Sequence, residues 1–568
     1  MKKDKLKLAI AQLNLSVGDF EGNSKKIIDH INLSFSKKCD VVIFPELAVC
    51  GYPPEDLLLK PHFIKENEIY IKKIAKKTPK ILTLIGLAHR ENGSLYNSCA
   101  VIYNKKIYSY YHKKLLPNYA VFDEKRYFEE GKEHFIIKYA DAFIGVNICE
   151  DIWHKEGPFS LQRASGTELI INISASPYYK GKIKVRRNIL AERSKESGGY
   201  LAYCNLVGGQ DELVFDGGSL VLGPKGKVVS QGYQFKEDFL LVDLDLKRVK
   251  KKSKFTFYNM LPTIDIPFKK VNRRTAIKNR IVRPLKEEEE VYEALKLGLA
   301  DYVNKNHFKK VVVGLSGGID SALCATLAVD ALGKENVTAV TMPSHFTSFG
   351  TLNDAIAMAK KLKVDFYLIP IDSLYGAYLD SLKGIFAGRK QDSTEENIQA
   401  RIRGNILMAI SNKFGYLLLT TGNKSETSVG YCTLYGDLAG GFAALKDVPK
   451  TLVYKLAKYR NSLGGKNIIP SSIIKRAPSA ELKKNQRDQD ALPPYDILDK
   501  ILKLYVEEDK SLKQIIKSGF NKGLVKEVIN MVDKNEYKRR QSPPGIRITP
   551  KAFGKDRRMP ISNQYTVK

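Results

Sequence analysis

Residues 311–322, Val311-Val-Val-Gly-Leu-Ser-Gly-Gly-Ile-Asp-Ser-Ala322, constrain the architecture more than any other stretch of the chain. An apolar run stops at a polar, glycine-rich turn and restarts as Ala322-Leu-Cys-Ala-Thr-Leu-Ala-Val-Asp-Ala-Leu332, which predicts strand, tight loop and helix in direct succession. Gly317 and Gly318 let the backbone turn sharply and approach a ligand closely. The N–H groups of the loop and of the first helical turn can then converge on an oxyanion. Ser316 and Ser321 add hydroxyl donors, and Asp320 adds a carboxylate suited to a metal ion. No Gly-Lys-Ser/Thr follows the glycines, so the loop is not a Walker A motif.

A chain of 568 residues exceeds one ordinary core and predicts two to four domains. Its hydrophobic content of 43% and charged content of 27% are those of a soluble globular protein. The seven cysteines, odd in number and without a Cys-x-x-Cys pair, form neither a disulfide framework nor a thiolate zinc site. The net charge of +31 invites a nucleic-acid reading, but the lysines are spread along the whole length and form no basic arm. Anionic nucleotides are the simpler use of such a field, and nucleic acid is not an expected partner. The N-terminal apolar segment is too short and too interrupted for a signal peptide, and no apolar stretch reaches membrane-spanning length. A cytoplasmic location without membrane contact is the expectation.

From residue 6 to about 246, short apolar strands alternate with amphipathic helices, near residues 7–13, 40–44, 81–87, 143–148, 168–173 and 239–244. This predicts a first α/β domain over 1–246. Residues 247–285 are basic and irregular and read as a linker. A helix seeded by Glu287-Glu-Glu-Glu290 opens a second α/β unit over 286–568, with strands near 311–315, 337–342, 365–371 and 416–420. That spacing predicts a mostly parallel sheet with ligands at the carboxyl ends of the strands. A basic, proline-containing tail from about 533 reads as a lid or an interface arm.

In the first domain, Phe44-Pro-Glu46-Leu, Lys113-Lys-Leu-Leu-Pro117 and Asn147-Ile-Cys149-Glu-Asp-Ile-Trp153 each place a reactive residue near a strand end. A thiol attacks an amide as the thiolate, so Cys149 needs a base for its proton and a cation for the developing oxyanion. Glu46 and Lys113 fit those roles, with Lys114 an alternative to Lys113. The constellation resembles the Glu-Lys-Cys triad of the nitrilase family, which implies an α-β-β-α sandwich over about residues 5–245. In glutaminase members the positions matching Tyr119, Ser176 and Lys182 contact the substrate amino acid. Ala120 stands where that family often has glycine.

The loop Gly314-Leu315-Ser316-Gly317-Gly318-Ile319-Asp320-Ser321 resembles that of the ATP pyrophosphatase family, whose fold is a doubly wound parallel sheet of the adenine nucleotide alpha hydrolase-like type. Four further strings accompany it: Glu395-Glu-Asn397 opening a helix, Thr420-Thr421-Gly-Asn-Lys-Ser-Glu426, Tyr435-Gly-Asp-Leu-Ala-Gly-Gly441, and the polar excursion through residues 473–494. In this order they are similar to the synthetase domain of the glutamine-dependent NAD synthetases, and with the amidase in front the resemblance covers nearly the whole chain. It implies ATP binding by the loop and Thr421, Mg²⁺ at Asp320 and Glu426, and deamido-NAD at Asn397, Glu426 and Lys538. It further implies amidation of deamido-NAD through an adenylate by ammonia drawn from glutamine, an internal passage for that ammonia, and a homo-oligomer, expected as an octamer. The alternatives are a related amidotransferase acting on another carboxylate, an RNA-modifying enzyme using the same loop, and an inactive nitrilase-like scaffold. The absence of a cysteine pair for sulfur transfer weighs against the second, and the intact Glu46, Lys113 and Cys149 weigh against the third.

Overall fold

The computed structural model describes residues 5–249, 261–268, 276–465 and 467–565. Two compact units divide the chain, Met1–Gln210 with Val214–Leu285, and Asp211–Leu213 with Lys286–Lys568.

The first unit runs β1 (Lys5–Gln12), α1 (Phe20–Ser36), β2 (Val41–Ile43), α2 (Pro61–Lys77), β3 (Leu82–Glu91), β4 (Ser94–Tyr103), β5 (Lys106–His112), β6 (Ile136–Tyr139) and β7 (Ala142–Ile148). It continues with α3 (Pro158–Ala164), β8 (Leu169–Ser174), α4 (Lys182–Ser197), β9 (Tyr200–Asn205), β10 (Val207–Gln210), β11 (Leu213–Asp216), β12 (Leu220–Leu222), β13 (Val228–Gln231), β14 (Asp238–Asp245) and β15 (Thr263–Ile266). A six-stranded sheet has the order β14-β1-β2-β3-β4-β5, and a seven-stranded sheet the order β13-β12-β9-β8-β7-β6-β15. Leu6, Leu8 and Ile10 of β1 alternate into one core with Ile144, Val146 and Ile148 of β7 and Leu169, Ile171 and Ile173 of β8, so the sheets pack face to face. Helices α1 and α2 lie on the first sheet, α3 and α4 on the second, completing the α-β-β-α sandwich. Burial on both faces explains why β1 and β8 read as continuous apolar runs rather than alternating ones.

The span read as a linker needs correcting where it is described. Thr263–Ile266 pairs in parallel with β6 as an edge strand, because Ile264 and Ile266 carry a period-two apolar face that packs on the shared core. Residues 250–260 and 269–275 of that span lie outside the described residues.

In the second unit, α5 (Glu287–Lys305) precedes β16 (Val311–Gly314), α6 (Ile319–Leu332), β17 (Val337–Thr341), α7 (Phe349–Leu362), β18 (Asp365–Leu368), α8 (Asp372–Leu382), α9 (Ser393–Phe414), β19 (Leu417–Thr420), α10 (Lys424–Val429), β20 (Phe442–Ala443) and α11 (Lys450–Ser462). All five strands are parallel, in the order β18-β17-β16-β19-β20. The chain winds outward from β16 in one direction and restarts at β19 in the other, so the crevice beside the carboxyl end of β16 is the topological switch point. The glycine-rich loop leaves β16 at that point.

Candidate active sites

In the first unit three strands deliver the reactive residues. Glu46 follows β2, Lys113 follows β5 and Cys149 follows β7. Glu46 can lie against β3 because residue 86 is glycine: a Cβ there would meet Pro45 O and Leu47 N at 2.4 Å. Cys149 has a φ of 43°, a left-handed conformation that its side chain disfavours and that turns the thiol out of the strand direction. Asp151 holds this elbow, accepting hydrogen bonds from Ile148 N at 3.0 Å, Leu115 N at 2.9 Å, Lys114 N at 3.1 Å and the Tyr111 hydroxyl at 2.9 Å. Asp151 therefore shapes the site.

The Lys113 ammonium is fully buried and donates to Glu46 Oε1 at 2.8 Å. Glu46 Oε1 also accepts from Asn97 Nδ2, and its Oε2 from Ala175 N, each at 2.8 Å. Three of the carboxylate's roughly four lone-pair sites are thereby engaged, which holds its orientation. Lys114 points elsewhere, its ammonium donating to Glu133 O and lying 5.2 Å from the Tyr111 ring centroid. Burial pulls the Lys113 pKa down, but Glu124 and Glu46 more than offset it, and the group stays charged far above neutrality. Burial, with Glu46 beside it, holds the Cys149 thiol well above its ordinary pKa despite Lys113, so the resting sulfur is protonated.

Sequence reasoning missed Glu124, whose two oxygens both accept from Lys113 Nζ at 2.8 Å. Burial pushes Glu124 up to about 7 against the pull of Lys113. It opens a three-residue helical turn, Glu124–Arg126, that carries no spacing signal, and only its burial marks it. Of the three positions matched to a substrate amino acid, Tyr119 donates its hydroxyl to Glu150 Oε2 at 3.0 Å, and the Lys182 ammonium lies 4.5 Å over the Trp153 ring. Ser176 N donates to Asn205 Oδ1 at 2.9 Å, next to the Ala175 N–H that holds Glu46. Tyr119 and Lys182 thus border the turn that begins at Cys149, while Ser176 continues the segment behind Glu46.

In the second unit the loop from Gly314 to Ser321 is braced internally. Ser316 N and Gly318 N donate to Ser321 Oγ and Ser316 Oγ, each at 3.2 Å, the two hydroxyls lie 3.0 Å apart, and Leu315 N donates to Val340 O at 2.9 Å. Gly318 caps α6, so Ile319, Asp320 and Ser321 form the first helical turn. Asp320 and Glu426, expected as a pair, converge on one ammonium: Lys450 Nζ lies 2.5 Å from Asp320 Oδ2 and 2.8 Å from Glu426 Oε1. Asn423 ties them further, giving Nδ2 to Asp320 Oδ1 at 3.0 Å and accepting from Glu426 N at 3.1 Å. Burial raises the Asp320 pKa to about 6, partly offset by Lys450, with Glu426 adding to the rise. Lys450 and Tyr495, whose hydroxyl lies 3.2 Å from Glu426 Oε1, were not singled out by the sequence. Lys450 opens a helix after Pro449, and that position alone carries no chemical signal.

Thr421 directly follows β19 at the strand end facing the loop. Asn397 and Lys538 meet on the turn after α10: the Thr433 hydroxyl donates to Asn397 Oδ1 at 2.8 Å, and Lys538 Nζ donates to Gly430 O at 2.8 Å and Cys432 O at 2.9 Å. Among the described residues no three His, Cys, Asp or Glu side chains gather as a metal cage. Two carboxylates around one cation nevertheless fit Mg²⁺, which takes one or two protein carboxylates and completes its shell with water and phosphate oxygens. No helix among the described residues is long and apolar enough to cross a membrane.

Known proteins match both halves. The carbon-nitrogen hydrolase family model matches residues 7–253, and the NAD synthase family model matches residues 291–542. A glutamine-dependent NAD(+) synthetase of Thermotoga maritima is 47% identical over 571 residues, covering 99% of this chain and 99% of its own. That of Aquifex aeolicus is 49% identical over 573 residues, covering 99% and 100%. The solved structure of the glutamine-dependent NAD+ synthetase from Acinetobacter baumannii, in complex with ADP, is 41% identical, covers 99% of this chain and 100% of its own, and superimposes with a TM-score of 0.75.

Proposed function

The chain belongs to the glutamine-dependent NAD(+) synthetases, ligases that take their amide nitrogen from glutamine, and from that premise we propose how its residues divide the work. Glu46, Lys113 and Cys149 form the glutaminase. Glu46 removes the thiol proton as sulfur attacks the carboxamide carbon, and Lys113 stabilises the oxyanion. Ammonia leaves with the proton that Glu46 returns, and Glu46 next activates the water that releases glutamate from the thioester. The raised pKa of Cys149 supports this order, because a thiol protonated at rest needs a base within the attack step itself. Tyr119, Ser176 and Lys182 bind the glutamine, with Glu150 and Trp153 at the same mouth.

In the second unit ATP lies on the loop of Gly314, Leu315, Ser316, Gly317, Gly318, Ile319, Asp320 and Ser321 and against Thr421, and deamido-NAD on Asn397, Glu426 and Lys538. Its nicotinate carboxylate displaces pyrophosphate from the α-phosphorus, forming an acyl-adenylate; ammonia then displaces AMP to give the amide. A free carboxylate would have to expel oxide, whereas the adenylate expels AMP. Asp320 and Glu426 are the residues to hold Mg²⁺, which, bound there, neutralises charge building on the phosphates. Lys450 adds a fixed positive charge to the same point. The enzyme on this reading is a cytoplasmic homo-oligomer acting on small molecules.

The observation that carries the proposal is the buried Lys113 clasped by Glu46, which equips the amidase half for amide attack. The test is NAD formation from deamido-NAD, ATP and Mg²⁺, with glutamine and with ammonium in parallel. Wild-type protein is expected to use both, and Cys149→Ala ammonium alone. Glutamine use that survives Cys149→Ala would refute the assignment of the nucleophile.

A further inference from the structure

The C-terminal tail, apart from Lys538, has no part in this chemistry, yet it meets the adenylation centre at two places. Glu426 sits on α10, a helix of only six residues whose own hydrogen bonds cannot hold it in place. At the carboxyl end of α10 the tail supplies the donors that its last carbonyls lack. Arg539 Nη1 donates to Ser428 O at 2.5 Å, Asn535 Nδ2 to Val429 O at 2.9 Å and Lys538 Nζ to Gly430 O at 2.8 Å. Positive charge there also complements the helix dipole.

At the amino end the tie runs through Lys424, which is 2% exposed. Its ammonium donates to Thr549 Oγ1 at 2.7 Å and Glu507 Oε1 at 2.8 Å and pairs with Asp447 Oδ1 at 2.8 Å. Asp447 in turn accepts from Ile548 N at 2.8 Å, Thr549 N at 2.7 Å and the Thr549 hydroxyl at 2.7 Å. The tail reaches this point along the preceding residues, with Ala443 N donating to Pro544 O at 2.8 Å and Lys446 Nζ to Pro543 O at 2.6 Å. Lys450 lies one turn beyond Asp447, and its N–H donates to Ser425 Oγ of α10 at 2.8 Å. A buried ammonium with two carboxylates is a poor source of stability compared with apolar packing, because its desolvation offsets its attraction. What such a cluster supplies is a fixed orientation of the segments that meet in it.

We propose that the C-terminal tail is a positioning clamp for the adenylation centre: it fixes the short helix carrying Glu426 at both ends and, through Asp447, the segment leading to Lys450. Lys424 and Thr549 are its positioning residues and touch no substrate. The proposal rests on the roles given above to Glu426 and Lys450.

The experiment compares Thr549→Val and Thr549→Ser in the full-length protein, with ammonium as nitrogen source. Valine keeps the volume and removes the hydroxyl that accepts from Lys424 and donates to Asp447; serine keeps the hydroxyl and removes a methyl group. Thr549→Val is expected to lower kcat/KM for deamido-NAD at least tenfold, Thr549→Ser to stay within threefold of wild type, and basal glutamine hydrolysis to change less than twofold in either. Thr549→Val matching wild type, or Thr549→Ser losing as much as Thr549→Val in step with its Tm, overturns the clamp, the second result marking plain packing. Wild-type protein that makes no NAD from ammonium would defeat the underlying reading as well.

Discussion

Gly317→Ala is the sharpest single test of the glycine-rich loop as the ATP site. Gly317 has a φ of +84°, where a side chain costs roughly 1–2 kcal/mol. An added Cβ would lie 2.3 Å from Thr351 O and 2.8 Å from Thr351 Cγ2. Thr351 belongs to the first turn of α7, which Ser348 caps by accepting its N–H, so the carbonyl cannot swing aside. The loop must instead retreat by about 1 Å, at a further cost of about 1–3 kcal/mol. A displacement of that size in a positioning element costs on the order of 100-fold in rate. The neighbouring Gly318 is the internal control: its φ is −85° and its nearest contact would be Ser316 Oγ at 3.4 Å, an ordinary separation. NAD formation with ammonium, followed by chromatography, should fall about 100-fold in Gly317→Ala, with ATP saturation weakened, and at least tenfold less in Gly318→Ala. Basal glutamine hydrolysis should persist in both. Equal activity of the two variants would refute the reasoning, since the loop would then not be held against a bound phosphate by the contact that only glycine permits.

Lys113→Met leaves Glu46 and Glu124 facing each other without their shared cation, a loss of about 3–5 kcal/mol for a broken buried pair; it should abolish glutamine hydrolysis and lower the Tm of the first unit by roughly 10 °C. Lys114→Met removes only the bond to Glu133 O and a ring contact and should leave glutamine hydrolysis within about threefold, so equal losses in the two lysine variants would contradict the assignment. The pH dependence of ammonium-supported synthesis, measured at constant free ammonia, follows Asp320. Its carboxyl must be ionised to hold a cation, and its pKa in the free enzyme is raised to about 6, so kcat/KM should be full above pH 7 and fall as pH drops through 6. A flat kcat/KM between pH 5 and 7 would remove Asp320 from the site.

What was legible in the sequence shares one physical property. Strands buried on both faces, such as residues 7–13 and 311–314, announce themselves by continuous apolar composition, and candidate groups just beyond such strands, such as Glu46 and Cys149, inherit a defined place at a strand end, as Asp320 does in the helical turn after the loop. The antiparallel strands β4 and β5 were not seen, because Tyr96, Tyr108, Tyr110 and His112 give them a polar and aromatic face, and pairing with β3, rather than their own composition, makes them strands. Strand β15 reads as linker in the sequence because basic residues surround its four positions. The partners of the reactive groups were hidden for a different reason. Glu124 lies 11 positions from Lys113, and Lys450 lies 130 from Asp320. Each became visible only once the fold buried it beside an opposite charge. A sequence reports which residue types stand ready at a strand end, whereas the counter-charges that set their protonation are fixed by tertiary packing. The same holds for the tail, whose basic, proline-containing composition reads as a lid or an interface arm. The structure instead uses Asn535, Lys538, Arg539 and Thr549 to hold the short helix that bears Glu426, work that a strand or long helix performs for itself through its backbone.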